Sequence, residues 1–259
     1  MKKTIFTYIA VALIVFFVSA CSTPKELVKT EPEKSAYEWY NEGVQYYINH
    51  NYEEAKHSLS MINQQHPGSI YSKKAHLILG DVYYSEEDYL LAVDEYKKFI
   101  ELYPNTNDAM FAQYKIAMSY YNMMNGYKLD QTPTKNAIEN FLILLDKYPD
   151  NPYKDKVYNH LTECVKQLYQ HQLFIARFYY DLGKYRASQI ELDYMAKHFS
   201  DLNFNDEMLY LLASTYYHLG KKQEAIDFFN DLKKKYPNSK YIALFEKSLE
   251  KRVNNYEQQ

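Results

Sequence analysis

The chain has 259 residues, a formal net charge of −3 and two cysteines. So mild a charge, with no dense basic tract, argues against a nucleic-acid-binding protein. The length allows several helical hairpins but excludes two large globular domains.

The first residues have the organisation of a bacterial lipoprotein signal. Lys2 and Lys3 precede an apolar run over residues 5–18, which ends in Val-Ser-Ala directly before Cys21. A basic start, a short apolar stretch and a small-residue cleavage site form a secretory signal, and a cysteine at this place resembles the lipobox. An uncleaved membrane anchor is the other interpretation, but an apolar run of 14 residues is shorter than the roughly 20 that span a bilayer. We therefore predict a signal peptide over 1–20 and lipidation of Cys21.

The residues after Cys21 predict where the protein is anchored. Ser22, rather than an aspartate that would favour inner-membrane retention, follows the cysteine, and no acidic run comes next. We expect a lipid-anchored protein on the periplasmic face of the outer membrane. Residues 21–35 lack an apolar period and are predicted to form a tether. With Cys21 lipidated, only Cys164 remains, so an internal disulfide is excluded.

The dipeptide Tyr-Tyr sets the register of the remaining sequence. Its first members are spaced by 37 residues except for one step of 59, and they are Tyr46, Tyr83, Tyr120, Tyr179 and Tyr216. A period of this size is typical of solenoids. In the first unit Trp39, Gly43 and Tyr46 are followed by Ala55, Leu59 and Pro67, close to the tetratricopeptide (TPR) pattern. The predicted fold is all-α, a TPR-like superhelical array of about five helical hairpins with a C-terminal capping helix.

The predicted units follow one another with one irregularity. Units one and two are expected near 36–66 and 70–104. In unit three, Ala137 comes 17 residues after Tyr120, where units one and two have 9, so we predict an insertion near 123–135. Residues 152–182 form a long or broken helix, and a capping helix begins near 239. We divide the array into units one to three (36–149) and units four and five with the cap (150–259).

The tyrosines are the candidate binding residues. The first member of each pair falls at the TPR core position, and the second falls where TPR folds face their concave groove. An aromatic concave surface suits apolar and aromatic side chains of a peptide, although these rings could instead pack between adjacent units. The candidate groove residues are Tyr40, Tyr47, Tyr84, Tyr114 and Tyr121.

Signs of catalysis are weak. His160, Cys164 and His171 recur at i, i+4 and i+11, which would allow a metal site or a thiol–imidazole pair. The pattern contains no third orienting group and no Cys-x-x-Cys, so a structural role is favoured. The sequence has no Gly-rich phosphate loop, nucleophile elbow or His-Glu-x-x-His motif. We predict no enzymatic activity, no cofactor and no metal site.

Two segments give the chain a resemblance to a known family. Asp-Gln-Thr at 130–132 with Tyr-Pro-Asp-Asn-Pro-Tyr at 148–153, and His-Gln-Leu-Phe-Ile-Ala-Arg-Phe-Tyr-Tyr at 171–180, are similar to the BamD family. These lipoproteins belong to the machinery that assembles outer-membrane β-barrels. Asn151 departs from the family's usual serine, and Glu191 stands where we expect an arginine. The second departure leaves open any charge pairing carried over to unit four.

The resemblance implies a scaffold in assembly and insertion of β-barrel proteins. The N-terminal units would bind the C-terminal targeting strands of unfolded barrel proteins. The C-terminal units would dock the periplasmic domains of the machinery's barrel subunit, with Arg177, Tyr180 and Tyr217 as weak interface candidates.

The alternative is another periplasmic TPR lipoprotein scaffold, related to peptidoglycan or cell division. Such a protein should lack both the insertion and the long 152–182 segment. Glycan-binding TPR lipoproteins of the SusD type are much longer than this chain.

Overall fold

The computed structural model describes residues 34–199 and 204–256. Within these ranges the chain forms eleven α-helices and no strand. The predicted signal peptide 1–20, Cys21 and nearly all of the tether 21–35 lie outside the described residues. The helices are α1 (Ala36–Ile48), α2 (Tyr52–Gln65), α3 (Ile70–Ser85), α4 (Tyr89–Leu102), α5 (Asn107–Asn122), α6 (Thr132–Lys147), α7 (Lys154–Asp181), α8 (Tyr185–His198), α9 (Asp206–His218), α10 (Lys222–Lys235) and α11 (Lys240–Tyr256).

Consecutive helices pair into five hairpins. These are α1 with α2, α3 with α4, α5 with α6, α7 with α8, and α9 with α10, and each hairpin also packs on the next. Helix α11 covers the last hairpin, where Tyr241 and Phe245 join a cluster with Leu209 and Phe229. The predicted all-α, TPR-like array of five hairpins with a C-terminal helix is confirmed.

Local sequence explains where the helices begin and end. Side chains cap the first helices of four units: Ser35, Ser69, Thr106 and Asn205 each accept a hydrogen bond from a backbone N–H in the first turn. Four second helices end two residues before a proline, which cannot continue a helix. These prolines are Pro67, Pro104, Pro149 and Pro237.

The Tyr-Tyr pairs mark the ends of the first helices. In unit four, the Gly183 N–H donates to the Tyr180 carbonyl and the Lys184 N–H to the Tyr179 carbonyl, both at 2.9 Å. This is the Schellman arrangement that closes a helix. The same two bonds recur in units one, two and five, and unit three keeps the bond to Tyr121. The Tyr-Tyr repeat in the sequence therefore corresponds to the same C-terminal helix end in successive units.

The first tyrosines of the pairs lie at the edge of the core rather than inside it. All five are half-buried, and four pack against a core cluster from its border, namely Tyr46, Tyr83, Tyr120 and Tyr216. The buried tyrosines lie outside the pairs, at Tyr96, Tyr169 and Tyr241. The prediction that the first members fall at core positions is therefore wrong for their burial, although four of them contact the core.

The insertion in unit three is an ordered loop. Residues 123–131 join α5 to α6, whereas three residues join the helices of the other hairpins. Gln131 Nε2 donates to the carbonyls of Gly126 and Leu129 at 3.2 and 2.9 Å, and Gln167 Nε2 of α7 donates to the Asn125 carbonyl at 2.7 Å. The loop is therefore fixed from within and to α7.

Residues 154–181 form one continuous helix of 28 residues, which decides between the long and the broken helix in favour of the long one. Its first half packs with unit three through Val157 and Cys164, and its second half packs with units four and five through Leu173 and Ala176. No helix in the described ranges is both long and apolar enough to cross a membrane.

Candidate protein-binding groove

The second tyrosine of every pair contacts the next unit along the array. All five are half-buried. Tyr47 packs against the core cluster that contains Val82 of α3. Tyr84 bonds Asn122 of α5, Tyr121 bonds Glu163 of α7, Tyr180 packs on Tyr210 of α9, and Tyr217 packs on Phe245 of α11. These rings join the units, so the packing role left open by the sequence is present at each junction.

Two further groove candidates belong to aromatic pairs between helices. The Tyr40 ring of α1 lies 5.3 Å from the Tyr71 ring of α3. The Tyr114 ring of α5 stacks on the Tyr153 ring at 4.1 Å with an interplanar angle of 11°. Both Tyr40 and Tyr114 are half-buried. They retain an accessible part on a surface that is held rigid by ring contacts.

The sequence did not single out a half-buried pair of charged side chains beside Tyr84. The ammonium nitrogen of Lys115 lies 3.3 Å from the centroid of the Tyr84 ring and 3.7 Å from Asp81 Oδ1. The buried Tyr96 donates a hydrogen bond of 2.6 Å to the same Asp81 oxygen. Asp81 directly follows Gly80, the small residue of the TPR pattern on this first helix. A charged residue next to that packing position is the feature of the sequence that could have indicated the pair.

Burial controls the ionisation of this region. It raises the pKa of Asp81 and lowers the pKa of Lys115, because both charged forms lose solvation. Burial also raises the pKa of Tyr40, Tyr47, Tyr84 and Tyr114. The phenols therefore remain protonated at neutral pH and can both donate and accept hydrogen bonds.

Burial, followed by the hydrogen bond to Glu163, raises the pKa of Tyr121 to about 12. Its ring lies 4.4 Å from the His160 ring. Through these two contacts, Tyr121 joins the groove candidates of units one to three to helix α7.

The C-terminal candidates have partners inside the chain. The Arg177 guanidinium donates to the Tyr241 hydroxyl at 2.9 Å and forms an ion pair with Glu207. Arg177 and Glu207 also line a cleft of about 200 Å³ between the insertion and α9, together with Tyr127, Gln170, Leu173, Phe174 and Asn205. Burial raises the pKa of Tyr180, which packs on Tyr210 and Tyr185.

The His160, Cys164 and His171 side chains serve packing. Cys164 is fully buried, and burial raises its thiol pKa to about 12, the opposite of what an active thiolate requires. The His160 ring stacks on Phe141 at 5.7 Å, while His171 Nδ1 donates to the Tyr127 carbonyl at 2.6 Å. The described residues contain no group of three or more potential metal ligands.

The two departures from the resembled family have local roles. Asn151 is buried, its Nδ2 donates to the Tyr148 carbonyl at 2.7 Å, and its Oδ1 accepts from the Tyr153 N–H at 3.0 Å. It therefore shapes the turn between α6 and α7. Glu191 accepts a hydrogen bond from Gln172, which joins α8 to α7 without an opposite charge.

A comparison with protein families decides the assignment. Residues 32–228 match the model of the YfiO outer membrane lipoprotein family. The chain belongs to the YfiO family. The YfiO match includes the insertion, all of α7 and the first half of α10, and it ends before α11.

Curated relatives support the YfiO assignment along most of the chain. The outer membrane protein assembly factor BamD of Rickettsia prowazekii is 28% identical over 79% of this chain and 81% of its own length. BamD of Pasteurella multocida is 27% identical over 83% of this chain and 84% of its own length. Among solved structures, the TPR2AB domain of yeast Sti1 in complex with an Hsp90 peptide covers 86% of both chains with a TM-score of 0.46 and 16% identity.

Proposed function

We propose that this chain is a lipid-anchored scaffold for outer-membrane β-barrel assembly on the periplasmic side of the outer membrane. Membership of the YfiO family and relatives named as assembly factors support this role. The lipobox at Cys21 supports the anchor. The observation that carries the binding role is the row of half-buried tyrosines along the first helices.

The proposed ligand of the N-terminal units is the C-terminal targeting strand of an unfolded barrel protein. Such a strand usually ends in an aromatic residue, which suits Tyr40, Tyr47, Tyr84, Tyr114 and Tyr121. Their rings offer apolar area and their protonated hydroxyls offer hydrogen bonds to a peptide backbone. Because ring contacts already order these side chains, binding costs little additional side-chain entropy.

The C-terminal units, within the proposed segment 150–259, dock the periplasmic domains of the barrel subunit. Arg177, Tyr180 and Tyr217 are the proposed interface residues. Arg177 is held by Glu207 and Tyr241, so it presents a pre-oriented cation rather than a flexible one. Binding at both ends makes the chain a site of recruitment and handover in which no bond is made or broken.

The groove proposal is tested with a fluorescent peptide that copies the last strand of a native barrel protein. Tyr47→Ala and Tyr84→Ala are each expected to weaken binding about 10-fold, since a lost interface aromatic costs on the order of 1 to 2 kcal/mol. Tyr194→Ala on α8, where the side chain is 48% exposed, is the matched control. Far-UV circular dichroism checks that the helices remain. Unchanged affinity in both groove variants contradicts the groove.

The docking proposal is tested in the native envelope. The full lipidated chain with a C-terminal tag is purified from solubilised membranes and its partners are identified by mass spectrometry. We expect a large β-barrel protein with repeated periplasmic domains. Recovery of peptidoglycan or division proteins without such a barrel would overturn the assembly role and leave the fold unchanged.

A further inference from the structure

Three positions of the first helices α3, α5 and α9 form the contact with the preceding unit. They lie eight, four and one residues before the first tyrosine of the pair, and we call them the junction positions. In α3 they are Ala75, Leu79 and Val82, which are buried in one cluster with Leu59 and Ile62 of α2. The corresponding residues of α5 and α9 are also buried: Ala112, Ile116, Ser119, Met208, Leu212 and Thr215.

Helix α1, which no helix of the described residues precedes, has a different composition at these positions. Its junction residues are Glu38, Glu42 and Gln45, of which Glu38 and Gln45 are exposed. Polar side chains at an uncovered end are what a solenoid requires for solubility. Helix α1 is therefore the comparison for junction positions whose side chains are exposed.

At the junction positions of α7, His171 is polar and bonded to the insertion, but Ile175 and Phe178 are apolar. Ile175 is half-buried, and the Phe178 side chain is 52% exposed. The neighbouring turns carry Phe174 and Leu182, which are 36% and 53% exposed. Where α1 has polar side chains at its exposed junction positions, α7 has large apolar side chains.

The cause is a displacement of unit three along α7. Helix α6 packs against Val157, Leu161 and Cys164, and each of these lies 14 residues before a junction residue of α7. Fourteen residues are close to four helical turns and about 21 Å of helix. Helix α7 therefore has two junction faces on nearly the same side, and α6 occupies only the first.

The insertion covers the beginning of the second face. The Tyr127 carbonyl accepts a hydrogen bond from His171, and the Tyr127 ring lies 6.1 Å from the Phe174 ring. The ammonium nitrogen of Lys128 lies 5.6 Å from the same Phe174 ring. Phe178 and Leu182, about one and two turns further on, remain exposed.

We infer that Phe174, Phe178 and Leu182 form a helix seat, a surface that binds an amphipathic helix of a partner protein. The positions equivalent to Phe178 in α3, α5 and α9 are buried (Val82, Ser119 and Thr215), and the seat continues the interface that α6 already makes with α7. A strand is excluded as the occupant because the backbone groups of α7 are hydrogen-bonded within the helix, which leaves no edge to pair with. In protein interfaces a few residues, often aromatic ones, contribute most of the binding energy. The exposed rings of Phe174 and Phe178 are suited to that role.

The seat is distinct from the tyrosine groove. Phe178 and the groove residue Tyr180 are two positions apart, which places them about 200° apart around α7. A helix on the seat and a peptide in the groove can therefore be bound together. The inference goes beyond the proposed function and does not depend on it.

The test places a photo-crosslinking phenylalanine analogue at position 178 of the full lipidated chain in the native envelope. Crosslinked peptides are identified by mass spectrometry, and the same analogue at Leu142 is the control, because Leu142 is also 52% exposed but lies on α6. We expect one partner segment with an apolar seam of helical period, specific to position 178. Crosslinks no stronger than at 142, or crosslinks to lipid, to a second copy or to a strand, overturn the seat.

A synthetic peptide of the mapped segment then measures the contribution of the seat. Phe178→Asp is expected to weaken binding of this peptide at least about 10-fold, whereas Leu142→Asp leaves it within about 2-fold. Both variants are checked for helicity and for binding of the targeting-strand peptide. Equal affinity of the Phe178→Asp variant and the unchanged chain for the mapped peptide contradicts the seat. If Tyr84→Ala weakens binding of the targeting-strand peptide but not of the mapped peptide, the groove and the seat are separate surfaces.

Discussion

Gly80 lies directly against the ring of Tyr96. A Cβ built at position 80 would be 2.6 Å from Tyr96 Cε1 and 2.7 Å from Cδ1. Tyr96 is fully buried, and its hydroxyl donates to Asp81. The absence of a side chain at 80 thus lets α3 and α4 approach closely enough for Asp81 to reach that hydroxyl.

Gly80→Ala is expected to lower the free energy of unfolding by about 1 to 3 kcal/mol, because the buried ring has no open space to move into. Urea unfolding followed by circular dichroism measures the change. Gly68→Ala is the matched control, since a Cβ at 68 meets nothing within 4 Å. Equal stability of the two variants would contradict the close approach.

The second residue before the start of the second helix adopts a left-handed backbone in four hairpins. Gly183 and Gly220 have φ of 69° and 79°, while His50 and Glu87 have 59° and 66°. This region costs a residue with a Cβ roughly 1 to 2 kcal/mol relative to glycine. We expect Gly183→Ala to reduce stability by about 1 kcal/mol and Glu87→Gly to increase it by less than that, since glycine also loses more entropy on folding.

Thermal or urea unfolding of the two single variants and of their combination tests this expectation. Gly126→Ala is the control in the third hairpin: a Cβ meets nothing within 4 Å at either Gly126 or Gly183, but only Gly183 has a left-handed φ. A stabilising Gly183→Ala would show that the turn does not require the left-handed conformation.

Stability is expected to fall steeply in alkaline solution. Burial, reinforced by the hydrogen bonds to Glu163 and Asp193, raises the pKa of Tyr121 and Tyr216 to about 12, against about 10 in the unfolded chain. Their contribution is complete below about pH 9 and is lost as the pH rises from about 10 through 12, because only the unfolded state ionises readily in that window.

The urea midpoint at about pH 8 and about pH 11, together with the ultraviolet absorbance of tyrosinate, measures this loss. A late group of tyrosines should ionise together with unfolding. Ionisation of all tyrosines near pH 10 while the helices remain would contradict the burial.

Cys164 is expected to resist thiol reagents in the folded state. Its side chain is fully buried, and burial raises its pKa to about 12, so the reactive thiolate is scarce at neutral pH. A coloured disulfide reagent should react with it only after denaturation. Cys164→Ala should cost about 1 kcal/mol from lost packing and leave peptide binding unchanged. Rapid reaction of the folded chain would revive the catalytic interpretation.

Some elements follow from local sequence rules. The Tyr-Tyr spacing predicts the repeat because each pair occupies the same place in a Schellman terminus. The prolines predict where the second helices end because a proline removes a backbone donor. The insertion is predictable from the displaced Ala137, although two of its extra residues extend α6 rather than the loop.

Other features depend on packing between units. The sequence left 152–182 as a long or broken helix, because apolar residues on α7 serve two different units and obscure a single period. It also left the second tyrosines between groove and packing, since the distance to the next unit is not a local property. The Asp81–Lys115 pair joins two units 34 residues apart in sequence, so no local pattern indicates it.

The sequence by itself determined that the chain is a helical repeat array, where most of its helices end, and that it resembles an outer-membrane lipoprotein family. Those properties are carried by backbone capping, proline chemistry and short motifs, which act within a few residues. Only the tertiary structure decided that α7 is continuous, that the tyrosines join successive units, and that Phe178 is exposed where its equivalents in α3, α5 and α9 are buried. Exposure depends on which unit packs on which helix, and the 14-residue displacement along α7 becomes visible only when α6 is seen against it.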